Sequence, residues 1–219
     1  MDLDPVDHGY QAANAAARGL LMGVANEVVQ LLLQSAGSWL FEGLRSGLSD
    51  SEWSALRFLA RANEFSRTPS ALAAFLDTHR SAATQIAAIL QSKGLIVRKP
   101  SSYDKRSITL SVTREGEKFL ERDPLNALRE QIVALEDENR SQLRDSLREI
   151  LIRLDVAQRR QNADVCSQCL FLVENDEGKH RHFNCRFFRR SIAPRDTSLL
   201  CTYFEPRPQK SLAAKTSTA

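Results

Sequence analysis

The sequence predicts a mainly α chain of α+β class: a winged helix-turn-helix homodimer with long dimerisation helices and a small C-terminal cysteine-rich hairpin module. Three observations lead there. Apolar residues recur at helical spacing over most of residues 15–158. The spacing changes to strand-like alternation once in that span, directly after two short helical runs. All four cysteines fall in the last quarter, as C-x2-C-x15-C-x15-C. A chain of 219 residues has room for one full-sized domain and a small module, and a hydrophobic fraction of 42% suits a real core.

Residues 1–14 read as a flexible N-terminus. Residues 15–46 follow as one helix, with Leu20, Val24, Val28, Leu31, Leu32, Ser35 and Trp39 on one stripe. A helix that long presents more apolar surface than a small core covers, so its stripe is expected to meet a second subunit. Gly47 closes it, and Ser49-Asp50-Ser51-Glu52 is a capping box that opens the next helix. That helix places Trp53, Leu56, Leu59 and Ala60 on one face. Thr68-Pro69-Ser70 is an N-cap followed by proline at the first helical position, opening a short helix from Ala71 to Leu76. After Asp77-Thr78-His79 a second helix runs from about Ser81 to Lys93, with Ala82, Ile86, Ile89 and Leu90 inward, and Gly94 stops it. Two such helices about a tight turn have the helix-turn-helix shape.

Leu95–Arg98 and Ser107–Val112 alternate as two antiparallel strands joined by the polar loop 99–106, which makes a wing. Thr113 caps a helical pattern that runs to about Gln158, interrupted at Asp123-Pro124. Leu128, Ile132, Leu135, Leu143, Leu147, Ile150 and Leu154 keep steps of three and four, with Asn139 the one polar position. This second long stripe also asks for a partner subunit.

Residues 160–206 form the cysteine module and 207–219 a disordered tail. Leu170–Val173 and His180–Phe183 read as a hairpin whose open end sets Cys169 opposite Cys185, with Cys166 and Cys201 completing one convergent set. Three chemistries compete for it. An iron–sulfur cluster tolerates one close pair with two separated cysteines. A structural zinc would staple so small a module, although zinc ribbons usually carry a second C-x-x-C pair. A thiol switch would use no cofactor. His180 and His182 are substitute ligands, and Phe183, Phe187, Phe188, Tyr203 and Phe204 a shielding core.

Leu48–Trp53, Leu90–Arg98 and Asp104-Lys105-Arg106 with Leu110–Thr113 together resemble the MarR family of bacterial winged-helix regulators, over about residues 17–155. The resemblance implies a homodimer with interlocked terminal helices. It also implies a recognition helix in each of two successive major grooves of a palindromic operator, and Arg106 as a wing-tip arginine in the minor groove. The residues agree on physical grounds. Arg80, Ser81, Thr84 and Gln85 offer short polar groups near the start of the second helix, where base edges are within reach. Ser81 has capping as its alternative and Gln85 plain solvation. Asp104 orients Arg106, while Arg98, Lys99 and Lys105 suit phosphate, with an internal ion pair as the rival for Arg98.

The net charge of +3 is too small to argue for nucleic acid alone, but residues 159–219 hold 11 Lys/Arg against 6 Asp/Glu. No phosphate-cradling glycine loop, no G-x-S-x-G and only four histidines argue against an enzyme. No secretory signal and no membrane-length apolar run point to a cytoplasmic protein. The expected partners are double-stranded DNA, a second copy of the chain and, by the resemblance, a small-molecule effector bound between the dimer helices and the winged core. Two other functions fit less closely: an effector-responsive repressor whose cysteines hold a purely structural zinc, and a protein-binding adaptor.

Overall fold

The computed structural model describes residues 21–36, 47–101, 107–158, 163–177 and 180–207. The chain divides into two compact units, residues 1–47 and 48–219. In the first, helix α1 spans 21–36; the predicted ends of this helix, with Leu20 and Trp39, lie outside the described residues. Leu21, Met22, Val24, Val28, Val29, Leu31, Leu32 and Leu33 are exposed on α1, so apolar side chains occur around the helix and not on one stripe alone.

The second unit begins with α2 (Asp50–Arg61), opened by the predicted capping box: Glu52 N–H donates to Ser49 Oγ and Ser49 N–H to Glu52 Oε2. Trp53, Ala55, Leu56, Phe58 and Leu59 are buried from it, more than the single face expected. Helix α3 (Pro69–Phe75) starts at Thr68, whose hydroxyl accepts from Ala71 N–H. Asp77, at φ 49°, turns the chain into α4 (Arg80–Ser92).

The inward face of α4 is Ala83, Ala87 and Leu90, one position round from the predicted Ala82, Ile86 and Ile89, which are half-buried. Small residues win because α4 lies close against α2 and α3, where a methyl fits and an isoleucine does not.

Gly94, at φ +72°, ends α4 in the left-handed region that glycine enters without strain. Strands β1 (Ile96–Pro100) and β2 (Ile108–Val112) pair from Ile96↔Val112 to Pro100↔Ile108. The wing tip, 102–106, lies outside the described residues, and with it Asp104, Lys105 and Arg106. Thr113 caps α5 (Arg114–Leu120), donating to Gly94 O and accepting from Gly116 N–H. A side chain at Gly116 would meet Leu95 O at 2.2 Å, so α5 crosses the wing root only because that residue has none.

The predicted continuous helix is two: α6 (Asn126–Val133) and α7 (Asp137–Gln158). The break is stabilised by Arg140, which donates to the carbonyls of Val133 and Leu135 and pairs with Asp137. Spacing alone does not reveal it, because Leu135 keeps the stripe in step. Ile132, Val133, Leu135, Leu143, Ile150, Leu151 and Leu154 are exposed along the two helices. Among the described residues no helix is long and apolar enough to cross a membrane.

The core of this unit gathers Trp53, Leu56, Phe58, Leu59, Leu72, Ala83, Ala87, Leu90, Ile96 and Leu110. One ion pair secures its edge. Arg57 meets Asp123 in a two-pronged contact of 2.8 and 2.6 Å and lies over the Trp53 ring. The Asp123 side chain is 1% exposed. Burial pushes its carboxyl up, but the Arg57 guanidinium and the Leu125 N–H outweigh that and hold it below the ordinary aspartate range.

Asp123→Ala should cost about 3 kcal/mol in a urea unfolding series, since it strands Arg57 against a buried edge. A folded-state value below the unfolded one means the contribution is complete above about pH 4 and lost as pH falls through the lowered value. Wild-type stability should therefore drop toward acid pH more steeply than that of Asp123→Asn.

Candidate functional site

Arg80, Ser81 and Gln85 are exposed on the N-terminal part of α4, opposite Ala83 and Ala87. Thr84 is half-buried, and its hydroxyl donates to Arg80 O at 2.7 Å, so its donor is used within the helix. The α4 N-cap is His79 with no side-chain cap bond, so capping does not account for Ser81, the second residue of the helix. Arg98 is half-buried on β1 and donates from Nη2 to Thr84 O at 2.7 Å, while its Nε is buried without a partner. Through this bond Arg98 braces α4 against the wing strand β1. Lys99 is exposed on the same strand.

The cysteine module is more than a hairpin. Strands β4 (Leu172–Glu177) and β5 (His180–Cys185) pair with Leu172 opposite Cys185, and β6 (Arg190–Ile192) adds a third strand beside β5. The expected pairing of Cys169 with Cys185 is therefore off by three residues, because both strands run nearly to residues 178–179. Cys169 instead bridges Pro206. A two-stranded ladder of β3 (Asp164–Val165) and β7 (Leu200–Cys201) sets Asp164 opposite Cys201. The C-x-x-C closes tightly, with Cys169 N–H donating to Cys166 O at 2.9 Å, and Arg207 donates to Cys169 O.

All four cysteines line one narrow pocket with room for about 10 Å3, walled also by Asn63, Phe65, Phe171, Leu172, Phe188, Ile192 and Tyr203. Cys166, Cys169 and Cys201 are buried and Cys185 half-buried. The expected convergence on a point is thus a convergence on a cavity: among the described residues no three Cys, His, Asp or Glu side chains form a single-ion site. His182 is exposed, pointing away from a ligand role. The expected aromatic shield is present, with Phe188 and Tyr203 edge-to-face at 5.1 Å and Phe187 against both.

Cys166 and Cys201 share a hydrogen bond, so the pair gives up one proton readily and holds the other. Cys201 is pushed down to about 6 by that bond, aided by Asn63, Tyr203 N–H and Ser66 against the effect of burial. Cys166 is pushed up by the same bond, by burial and by the neighbouring thiols.

Sequence spacing gave no sign of the residues that complete the cavity from the other side. Asn63 and Phe65 belong to the loop between α2 and α3. Asn63 Nδ2 donates to Cys166 Sγ at 3.3 Å, and Phe65 stacks on Phe188 at 4.1 Å. A polar residue after a helix reads as loop in any sequence, and only its long-range partner marks it as part of a site.

Residues 46–107 match the family model described as MarR family. The transcriptional repressor MprA of Escherichia coli strain K12 is 34% identical over 113 residues, which are 50% of this chain and 64% of that protein. MprA of Escherichia coli O157:H7 matches to the same extent. The chain thus spans 64% of the length of the curated relatives it matches. CouR from Rhodococcus jostii RHA1, solved with p-coumaroyl-CoA, aligns at a TM-score of 0.48 and 20% identity, over 58% of this chain and 90% of that one. A MarR family regulator from Rhodococcus sp. RHA1 aligns at 0.46 and 19%, over 60% and 94%. The family match takes in α2 to α4 and β1, stops just before β2, and ends well before Cys166. The similarity to the MarR family is thus located in residues 46–107, and the four thiols lie on its C-terminal side.

Proposed function

We propose that this chain is a DNA-binding transcriptional repressor that grips a palindromic operator as a homodimer, with its affinity set by an iron–sulfur centre on Cys166, Cys169, Cys185 and Cys201. The observation that carries the DNA-binding reading is the exposed row Arg80, Ser81 and Gln85 on a helix locked in place by Ala83, Ala87, Leu90 and the Arg98 brace. Such a row offers a cation and short hydrogen-bonding groups at the depth of base edges. Lys99, Lys105 and Arg106 would supply phosphate and minor-groove contacts beside it. The exposed apolar residues of α1, α6 and α7 support a second copy as the partner.

For the centre, the supporting observation is the shape of the thiol set. Zinc at Zn–S distances of about 2.3 Å draws its ligands onto one ion. One close pair with two separated cysteines, set among apolar and aromatic walls, is the ligand pattern that a cluster tolerates. The four cysteines would hold it, and when bound it would supply a redox-active group whose stability responds to oxidants. Asn63 would give its sulfur a hydrogen bond, and Phe65, Phe188 and Tyr203 would limit water.

Arg80→Ala and Gln85→Ala should each lose about 1–3 kcal/mol of binding to a duplex recovered from a random-sequence pool. Arg106→Ala should weaken it without changing the fold. Unchanged affinity in all three, at physiological salt in a fluorescence-anisotropy titration, rejects the DNA surface. Sedimentation at micromolar concentration should give twice the chain mass of 24.6 kDa; a folded monomer rejects the homodimer. Anaerobically purified protein should contain iron and sulfide, and each Cys→Ser change should remove most of it. Zinc in place of iron would make the thiols a structural staple, and four single variants with full metal content would end the shared-site idea.

A further inference from the structure

The thiol site is not built by its own module alone. The loop joining α2 to α3 is buried beneath the cysteine strands: Asn63 is 2% exposed and Ser66 0%. Its contacts are made at every level. Asn63 N–H donates to Leu200 O at 2.8 Å, one residue before Cys201. Thr202 N–H donates to Ser66 Oγ at 3.0 Å, one residue after it. Cys201 is therefore flanked on both sides by bonds to the winged core. Asn63 Nδ2 reaches Cys166 Sγ, and Phe65 stacks on Phe188 with the rings 8° from parallel. Asn63 has no slack to absorb a change, since its Oδ1 is held by Ser66 N–H at 3.0 Å.

The same loop leads directly into the DNA-facing elements. Arg67 O accepts from Leu110 N–H of β2 at 2.7 Å, and Thr68 caps α3. Helix α3 packs on α4, which carries Arg80, Ser81 and Gln85. From the sulfur of Cys166 to the cap of α3 the chain needs only Asn63 to Thr68, a segment pinned at both ends. Any change at the sulfurs that moves Cys166 or alters its hydrogen-bond acceptance must be taken up by Asn63. A buried amide left without its acceptor costs ~1–3 kcal/mol, enough to shift an equilibrium between two loop arrangements.

We infer that Asn63 is the positioning residue through which the state of the four-thiol site is transmitted to the helix-turn-helix. This rests on the reading of the chain as a DNA-binding protein with a responsive thiol set, but not on which metal, if any, the thiols hold. Coupling of this kind is reciprocal: if the thiols influence DNA affinity, bound DNA must influence the thiols.

The test uses the full chain, reduced and treated with chelator, with iodoacetamide as the probe and peptide mass spectrometry reading alkylation of Cys166. In the wild type, a duplex recovered from a random-sequence pool should change the Cys166 rate by roughly fivefold or more, within the usual range of allosteric coupling. In Asn63→Asp, which keeps an acceptor for Ser66 N–H but has no donor for sulfur, and in Asn63→Ala, the rates with and without duplex should be equal. Ser66→Ala removes the Ser66 bond to Cys201 but spares the Asn63–Cys166 bond, and should keep most of the effect. A duplex effect that persists in both Asn63 variants overturns the proposal, as does a wild type whose Cys166 rate ignores the duplex. Protection of Cys166 in a wild type that binds neither iron nor zinc rejects the metal reading and leaves this inference standing. A wild type that recovers no duplex removes both. Should the Asn63 variants fail to fold, hydrogen exchange on wild-type protein decides. Alkylation should speed exchange at residues 63–72, and an effect confined to 163–207 overturns the proposal.

Discussion

The structure of the second unit depends on one constraint: the loop after α2 is buried, so its polar groups must find partners inside the protein. Asn63 and Ser66 are buried in it, with Phe65 half-buried between them. Their N–H, amide and hydroxyl groups are satisfied by Leu200, Cys166 and Thr202. Buried backbone donors without acceptors are expensive, and here the cysteine strands supply them. Take the module away and the loop loses these partners; take the loop away and the cavity around the thiols loses a wall. The winged core and the thiol-bearing strands are in this sense one folded object, although the sequence presents them as separate blocks.

Within the winged core the burial of small residues does comparable work. Ala83 and Ala87 let α4 lie close to its neighbours, which turns Arg80, Ser81 and Gln85 outward. Arg98 then ties the middle of α4 to the wing through the Thr84 carbonyl. That bond holds α4 against the wing strand. Thr84, with its hydroxyl donated to Arg80 O and its carbonyl accepting from Arg98, belongs to the same brace.

The long helices follow a different rule. Arg57 and Asp123 join α2 to the turn ahead of α6, so the edge of the core is fixed by a charge pair that burial alone would not tolerate. Beyond that turn α6 and α7 expose aliphatic side chains along their length, and α1 does the same in its own unit. Arg148, paired with Asp164 at the start of β3, connects α7 to the ladder that carries Cys201. Helix α7 and the thiol-bearing strands are thus joined by a second, independent contact.

Much of this was decided by sequence alone, where the deciding physics is local. The capping box at Ser49–Glu52, the Thr68-Pro69 start of α3, the glycine stop after α4 and the alternation of the wing each depend on residues within a turn of one another. The gathering of the cysteines into one site was legible too, because a two-residue spacing and a hairpin leave them few places to go. Tertiary structure decided the rest. Which residues of α4 face inward turned on how closely two other helices approach, a quantity that periodicity does not contain. The break between α6 and α7 turned on Arg140, which reaches back to carbonyls five and seven residues away while the apolar stripe continues unbroken. The hairpin register slipped by three residues from the expected one because strand length, not cysteine symmetry, sets pairing. Asn63, over a hundred residues from Cys166 in the chain, became part of the site by packing alone: a hydrogen bond between two folded surfaces leaves no periodic trace in either.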